Sequence, residues 1–202
     1  MKLYYSSGAC SLAPHIVLRE AKLPFSVEKV DTKTHKTEHG VDYYTINPKG
    51  YVPLLELDNG ERLSEGPIIA QYICDKAGRL DLMPAAGSMA RYRVMEWQSY
   101  TTSELHKSFS PLFNAAFDDS AKAIFKASLR KKYEWVSRQL HDKQYLTGDT
   151  FTAADAYLFT VTNWAKGVGV DLSDYTDLRS FLKRVAERPA VREAMKAEGL
   201  IK

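Results

Sequence analysis

Cysteine is scarce in this chain, since its 202 residues include two, Cys10 and Cys74. They lie too far apart in sequence for metal-ligand spacing. The opening residues "MKLYYSSG" lack the apolar stretch of a signal peptide. No apolar run reaches the ~18 residues that a membrane span requires. These absences argue against an exported, disulfide-rich or membrane protein and predict reduced thiols in the cytoplasm.

A large excess of one charge is also missing. The chain has 28 Lys and Arg against 25 Asp and Glu, a net charge of +3, and no long basic run. The sequence therefore predicts no nucleic-acid-binding surface. Apolar residues make up 45% of the chain, which is typical of a globular protein, and the length allows one large or two small domains.

The first eighty residues alternate strand and helix patterns. Period-two alternation predicts a strand over 25–31, and helical spacing of apolar residues predicts a helix over 11–21. Asn59 and Gly60 predict a hairpin with a type I′ turn. With a strand at 2–5, a short helix within 41–50 and a helix over 67–77, the pattern predicts a small mixed sheet flanked by helices.

The rest of the chain has helical patterns. The segment 78–88 contains Gly and Pro with little periodicity, which indicates a linker. Beyond it apolar residues recur at helical spacing, as at Leu129, Tyr133 and Val136. Thr152 and Asp155 have the spacing of a capping box that begins a helix. The second half is therefore predicted to be all-helical.

Cys10 lies where the first strand gives way to the first helix. The unpaired N–H groups and positive dipole end of a helix N-terminus stabilise an anion, so the thiol is expected to have a lowered pKa. The alternative is that Cys10 packs as a small buried apolar residue. Cys74 falls inside a predicted helix beside Ile73 and is expected to be core.

Two further stretches have a local chemical meaning. In "GYVPLL" (50–55), the sequence alone favours a trans bond before Pro53, whereas a cis bond would leave the Val52 backbone free to pair with an extended peptide. In "LSEGPII" (63–69), a helix start at Gly66 offers N–H groups to a carboxylate, and Glu65 is able to bind an ammonium group. Ordinary helix capping is the alternative interpretation.

A polar stripe follows the predicted linker. Ser99, Ser103 and His106 stand at i, i+4 and i+7, so a regular helix places them on one face. This face is able to line a cleft between the two halves. The alternative is a solvated helix surface.

Four of these stretches together resemble one protein family. "YYSSGACSLAPHIVLRE", "NPKGYVPLLELDNGERLSEGPIIAQYI", "ELHKSFSPLF" and "FTAADAYLF" closely resemble the bacterial beta class of cytosolic glutathione transferases. The resemblance extends to the terminal "RPAVREAMKAEGLIK" and so covers essentially the whole chain.

The resemblance implies a fold, an assembly and a ligand site. The fold would be α/β plus all-α, with a thioredoxin-like glutathione-binding domain over 1–80 and an all-helical domain over 87–202 that lines the electrophile site. The protein would be a homodimer with glutathione as co-substrate and no permanently bound cofactor. The implied glutathione contacts are Cys10, Val52 before a cis Pro53, Glu65, Gly66, Ser103, Glu104, Leu105 and His106. His35 and Ser99 also fall at contact positions, where many relatives have Lys and Asn.

The implied reaction is attack of the glutathione thiolate, held beside Cys10, on a small hydrophobic electrophile. His106 would stabilise charge or move a proton, and Tyr5 and Ser11 are rival activators of the thiol. A second reading is glutathione-dependent disulfide reduction or reductive dehalogenation through a Cys10 mixed disulfide. Such exchange would be monothiol, because Ala13 stands where a CxxC motif has its second cysteine. A third reading is a non-catalytic binding protein on the same fold.

Overall fold

A five-stranded mixed sheet forms the first part of the chain. The computed structural model describes residues 1–202. Its strands are β1 (Lys2–Tyr5), β2 (Ser26–Asp31), β3 (Lys36–Thr37), β4 (Leu54–Glu56) and β5 (Arg62–Ser64), in the order β3-β2-β1-β4-β5. The pair β1–β2 is parallel, and the other pairs are antiparallel. A parallel pair needs a crossover, which helix α1 (Leu12–Ala21) supplies.

The sheet separates two apolar layers. Leu3 and Leu55 belong to the main core together with α1 and helix α2 (Gly66–Ala77). Tyr4 and Leu54, one position along the same strands, belong to a smaller cluster that Tyr43 completes from a short 3₁₀ turn. This is the period-two alternation of a sheet covered on both faces. The strand predictions over 2–5 and 25–31 are confirmed to within one residue.

All regular structure after residue 88 is helical. The helices are α3 (Met89–Tyr100), α4 (Lys107–Phe113), α5 (Asp119–Gln139), α6 (Ala153–Thr162), α7 (Trp164–Gly167), α8 (Thr176–Ala186) and α9 (Pro189–Ala197). The expected thioredoxin-like sheet region followed by a helical region is therefore confirmed. None of these helices combines the length and the apolar character that crossing a membrane demands.

The hairpin turn differs from the one predicted. A type I′ turn needs a positive φ at both central residues. Gly60 has a φ of 85°, whereas Asn59 is not among the residues with positive φ. The Gly60 N–H donates to the Leu57 carbonyl, and the Leu57 N–H donates to Glu61. The loop therefore has three residues, Asp58 to Gly60, and Gly60 alone takes the left-handed conformation. Asp58 is the additional loop residue, and a three-residue loop does not form a type I′ turn.

Hydroxyl side chains accompany a change of helix type after α3. The π segment, Thr101–His106, has i→i−5 bonding, as in the donation from the Lys107 N–H to the Thr102 carbonyl. The hydroxyls of Thr102, Ser103 and Ser108 donate to the carbonyls four residues earlier at 2.8, 3.1 and 2.6 Å. Such bonds compete with regular helix bonding and bend helices. The regular helix expected across Ser99 to His106 is therefore wrong.

The two halves share one continuous core, in which α1 packs against α6 and α9. The loop between β1 and α1 is held from the helical half at both backbone groups of one residue, Gly8. The Gly8 N–H donates to Glu198 Oε2 at 2.9 Å, and Trp164 Nε1 donates to the Gly8 carbonyl at 2.8 Å. Buried His15 on α1 contacts the other oxygen of Glu198 at 2.8 Å. These contacts fix the loop that carries Cys10.

Candidate active site

Cys10 lies in the loop before α1 and faces the turn that leads into β4. Its Sγ donates to the Val52 carbonyl oxygen at 3.3 Å, so residues 42 positions apart meet at one point. The Val52–Pro53 bond is cis. The sequence alone favoured trans, and the resemblance implied cis. The Val52 N–H has no hydrogen-bond partner within the protein. A strand-like backbone group is therefore available for an extended peptide beside a thiol.

The expected lowering of the Cys10 pKa is wrong for the free protein. Burial raises the pKa of this thiol to about 11, and the nearby N–H groups of Cys10 and Ser11 oppose the rise without cancelling it. The charge of Glu65 adds to the rise, and that of Lys107 reduces it. Desolvation of the charged form therefore outweighs the helix N-terminus. Cys10 is a protonated thiol that donates a hydrogen bond at neutral pH.

Glu65 is held in an unusual backbone conformation at the start of α2. Its φ is 70°, which a non-glycine residue rarely adopts, and such outliers cluster at functional sites. Its side chain is exposed, and its carboxylate accepts from Lys49 Nζ at 3.1 Å. Gly66 follows as the first residue of the helix, where N–H groups lack intrahelical partners. This end of α2 therefore presents a carboxylate and N–H donors together.

His106 closes the site from the helical half. Its Nδ1 contacts the Tyr157 hydroxyl at 2.7 Å, and its ring lies 4.9 Å from the Trp164 ring. Burial, together with a smaller effect of the Lys107 charge, lowers the pKa of His106 to about 4. The imidazole is therefore neutral at pH 7. Its Nε2 has no partner within the protein and is the nitrogen available to a ligand.

The polar stripe predicted on this helix is not preserved. Ser103 is exposed, and its hydroxyl donates to the carbonyl of Ser99, itself exposed. His106 instead turns inward onto Tyr157, because the π segment changes the rotation between these positions. The Leu105 side chain is fully buried in the core, so a contact of Leu105 with glutathione would have to use its backbone.

Glu104 has an ion-pair partner in the helical half. Its carboxylate pairs with Lys132 on α5 at 3.1 Å. The Glu104 side chain is nevertheless 47% exposed, so this ion pair does not remove it from the surface. The resemblance implied glutathione contacts at all of residues 103–106 and did not indicate which of their side chains are exposed.

Ser11 and Tyr5 do not have the geometry of thiol activators. The Ser11 hydroxyl is fully buried, accepts from the Ser6 N–H at 3.1 Å and donates to the Ser6 carbonyl at 3.2 Å. The Ser11 hydroxyl, a rival activator by resemblance, thus uses both of these bonds to hold the loop. The Tyr5 ring packs against His15, and burial raises the pKa of its phenol.

His35 lies near the same turn as Val52. It has a φ of 52°, and its ring lies 4.5 Å from the Tyr44 ring. A Cβ atom at Gly50 would come 3.0 Å from His35 Nδ1, so the ring contacts the chain two residues before Val52. His35 Nδ1 is buried without a hydrogen-bond partner. A polar atom in that state is suited to a ligand or a bound water.

Three residues at the site escaped the sequence analysis. Lys49 contacts Glu65, Tyr157 contacts His106, and Trp164 joins Gly8 to the helical half. Tyr157 and Trp164 lie in stretches whose apolar pattern indicates only a core helix, and nothing in that pattern shows that a hydroxyl or an indole N–H reaches the cleft. No group of three His, Cys, Asp or Glu side chains has the geometry of a metal site.

Comparisons with known proteins agree over the whole length. The family model described as glutathione S-transferase, N-terminal domain, matches residues 8–76, and the corresponding C-terminal model matches residues 103–198. The chain is 44% identical over 200 residues to glutathione S-transferase GstA of Escherichia coli O157:H7, which covers 99% of this chain and 100% of that protein.

Solved structures give the same result. A sphingomonad glutathione S-transferase complexed with glutathione is 45% identical, with a TM-score of 0.95 and complete coverage of both chains. The bacterial beta-class glutathione S-transferase of Sphingomonas chungbukensis is 44% identical, with a TM-score of 0.95 and the same coverage.

Proposed function

This chain belongs to the glutathione S-transferase family, of the bacterial beta class that its sequence resembles, and we propose that it conjugates glutathione, held beside Cys10, to small hydrophobic electrophiles. The observation that carries the proposal is the meeting of the Cys10 thiol with the Val52 backbone at 3.3 Å. A peptide that pairs with the free Val52 N–H would bring its own side chain to this thiol. For glutathione that side chain is the cysteinyl thiol.

The two ends of glutathione would bind at opposite sides of this point. The γ-glutamyl carboxylate fits the N–H groups at the start of α2, and its ammonium group fits the Glu65 carboxylate. The ammonium group would compete with Lys49, an exposed partner at 3.1 Å. His35, which is half-buried beside Gly50, would lie near the glycyl end. Ser99 and Ser103, both exposed, would contribute only hydroxyl contacts.

The reaction needs the glutathione thiol to lose its proton to solvent. Its thiolate would then be stabilised by the Cys10 S–H donor and by the N–H groups of Cys10 and Ser11. The sulfur forms a bond to an electrophilic carbon, and the leaving group departs with its electron pair. Neutral His106 would act as a hydrogen-bonding partner through Nε2. Aromatic side chains near it, such as Trp164 and Phe113, would contact the electrophile.

A Cys10→Ala and Glu65→Ala pair of variants tests this proposal. Loss of the S–H donor should lower kcat/KM for conjugation of 1-chloro-2,4-dinitrobenzene about tenfold, and loss of Glu65 should weaken glutathione binding about tenfold or more. A Cys10→Ala variant with full conjugation would remove Cys10 from the reaction. Slow conjugation beside rapid glutathione-dependent disulfide reduction would favour the monothiol exchange reading instead. Failure to bind immobilised glutathione at all would favour the non-catalytic reading.

A homodimer is the proposed assembly. Large apolar side chains are exposed on α2, on α3 and beside Val52: Ile68 (50% exposed), Met89 (65%), Tyr92 (52%) and Tyr51 (71%). The helices α2 and α3 pack against each other, so these residues lie on neighbouring elements. Exposed apolar patches of this kind mark protein interfaces. Light scattering of the purified protein should give twice the chain mass, and a monomer mass would reject the dimer.

The domain division and the location are proposals of the same kind. Residues 1–80 would bind glutathione, and residues 87–202 would line the electrophile site. A cytoplasmic location fits two cysteines that are both free. Cell fractionation tests the location, and recovery of the protein outside the cytoplasm would reject it.

A further inference from the structure

The π segment that carries His106 has an extra anchor outside the site. In this segment the Glu104 carbonyl accepts two side-chain donors: the Ser108 hydroxyl at 2.6 Å and Lys132 Nζ at 2.9 Å. Two side-chain donors on one helical carbonyl are unusual, because regular helices pair their carbonyls with backbone N–H groups.

The Lys132 ammonium group makes all of its contacts with the turn between Glu104 and Ser108. Besides the Glu104 carbonyl, its Nζ contacts the Ser108 hydroxyl at 2.8 Å and the Glu104 carboxylate at 3.1 Å. An ammonium group has three N–H donors, so all of them are used here. Lys132 lies on α5, and its three contacts are with Glu104, two positions before His106, and with Ser108, two positions after it. They therefore bracket His106 in the sequence without touching it.

We propose that Lys132 is a positioning residue, which holds the π segment in the register that directs the His106 ring onto Tyr157 and into the cleft. The inference rests on the proposed function, because it gives His106 a purpose in the glutathione site. Ser108 acts with Lys132 as the hydroxyl that links the ammonium group to the Glu104 carbonyl. Neither Lys132 nor Ser108 contacts the reacting atoms.

The register matters because the position of His106 depends on it. Each residue of a regular α-helix turns by about 100°, so a shift of one residue would rotate His106 away from its present contacts. The ring would lose its 2.7 Å bond to Tyr157 and its packing on Trp164. The His106 ring would also become more exposed to solvent. Solvent exposure favours the protonated imidazole and would raise the pKa of His106 toward the ordinary value.

The test compares four variants by two measurements. Lys132→Met removes the anchor, Ser108→Ala removes the linking hydroxyl without a change of charge, and Lys132→Arg keeps donors and charge. Lys131→Met is the matched control, because Lys131 is exposed on the same helix and makes no hydrogen bond or ion pair. The measurements are the titration of His106 by NMR and the kcat and KM values of conjugation. Lys107 and Glu65 carry the charges that act on His106, and both residues are unchanged in every variant.

We expect Lys132→Met and Ser108→Ala to raise the pKa of His106 and to lower kcat about tenfold, with little change in KM for glutathione. Lys132→Arg should restore most of both properties, and Lys131→Met should behave as the unsubstituted protein. An unchanged His106 titration in Lys132→Met and Ser108→Ala would overturn the inference. If Lys132→Met does not fold, Ser108→Ala decides alone. The titration needs no turnover, so it separates a failure of this inference from a failure of the proposed reaction.

Discussion

Two residues of the site behave against the expectation from their position. Cys10 precedes a helix N-terminus, yet burial gives its thiol a pKa of about 11. His106 stands on a polar stripe in the sequence, yet its half-buried ring contacts Tyr157 and has a pKa of about 4. In both cases desolvation decides the protonation state, and desolvation depends on side chains that come from distant parts of the chain. The free site is therefore uncharged at these two residues near pH 7.

The reactivity of Cys10 tests this view of the free protein. The thiolate is the reactive form, so alkylation by iodoacetamide should be slow at pH 7 and should rise about tenfold per pH unit up to at least pH ~10. Peptide mass spectrometry measures the rate at Cys10 separately from buried Cys74, whose pKa is raised to about 12. A rate that levels off near pH ~8 would show a lowered pKa and contradict the burial argument.

At the scale of elements, the sequence predicted the features that depend on residues close together in the chain. The capping box of α6 is one such case, because Thr152 and Asp155 interact within one turn. The third partner of Asp155, the Leu146 N–H at 2.8 Å, belongs to a separate loop and was not predicted. The π segment was missed for a related reason: Lys132 comes from another helix, and the three hydroxyls match an ordinary polar helix equally well. The predicted type I′ turn at Asn59 and Gly60 was wrong because the loop has three residues, and the loop length sets the turn type.

An Asp155→Ala substitution should lower the free energy of unfolding by about 3 kcal/mol or more. It removes the bonds to the Thr152 N–H and hydroxyl and to the Leu146 N–H, and it leaves buried donors unpaired. Urea unfolding measures the loss. The control is Asp118→Ala, an exposed cap of α5, which should lose less. Equal losses in the two variants would contradict the role given to burial at Asp155.

At the scale of the whole molecule, the resemblance supplied the fold, and the structure adds how its halves are joined. The Cys10 loop is held by Glu198 and Trp164, which lie more than 150 residues away in the sequence. Such contacts have no local pattern, so composition and periodicity do not reveal them. They make the geometry of the glutathione site depend on the helical half.

The shared core predicts that the two halves unfold together. Fluorescence of Trp97, Trp135 and Trp164, all in the helical half, should follow the same transition as the far-ultraviolet circular dichroism of the whole chain. A Glu198→Ala variant should shift both signals to lower urea concentration by the same amount, because Glu198 holds Gly8 and His15. Two separated transitions would contradict a single cooperative unit.

The most direct measurement asks whether a glutathionyl sulfur reaches the sulfur of Cys10. The protein is incubated with glutathione disulfide at pH ~9, where the Cys10 thiolate displaces one glutathione thiolate and forms a mixed disulfide. Mass spectrometry of the peptides should find the adduct on Cys10, none on Cys74, and much less on Cys10 in Glu65→Ala. If Cys10 stays unmodified by glutathione disulfide while a small uncharged disulfide modifies it at the same pH, glutathione does not bind with its sulfur at this thiol.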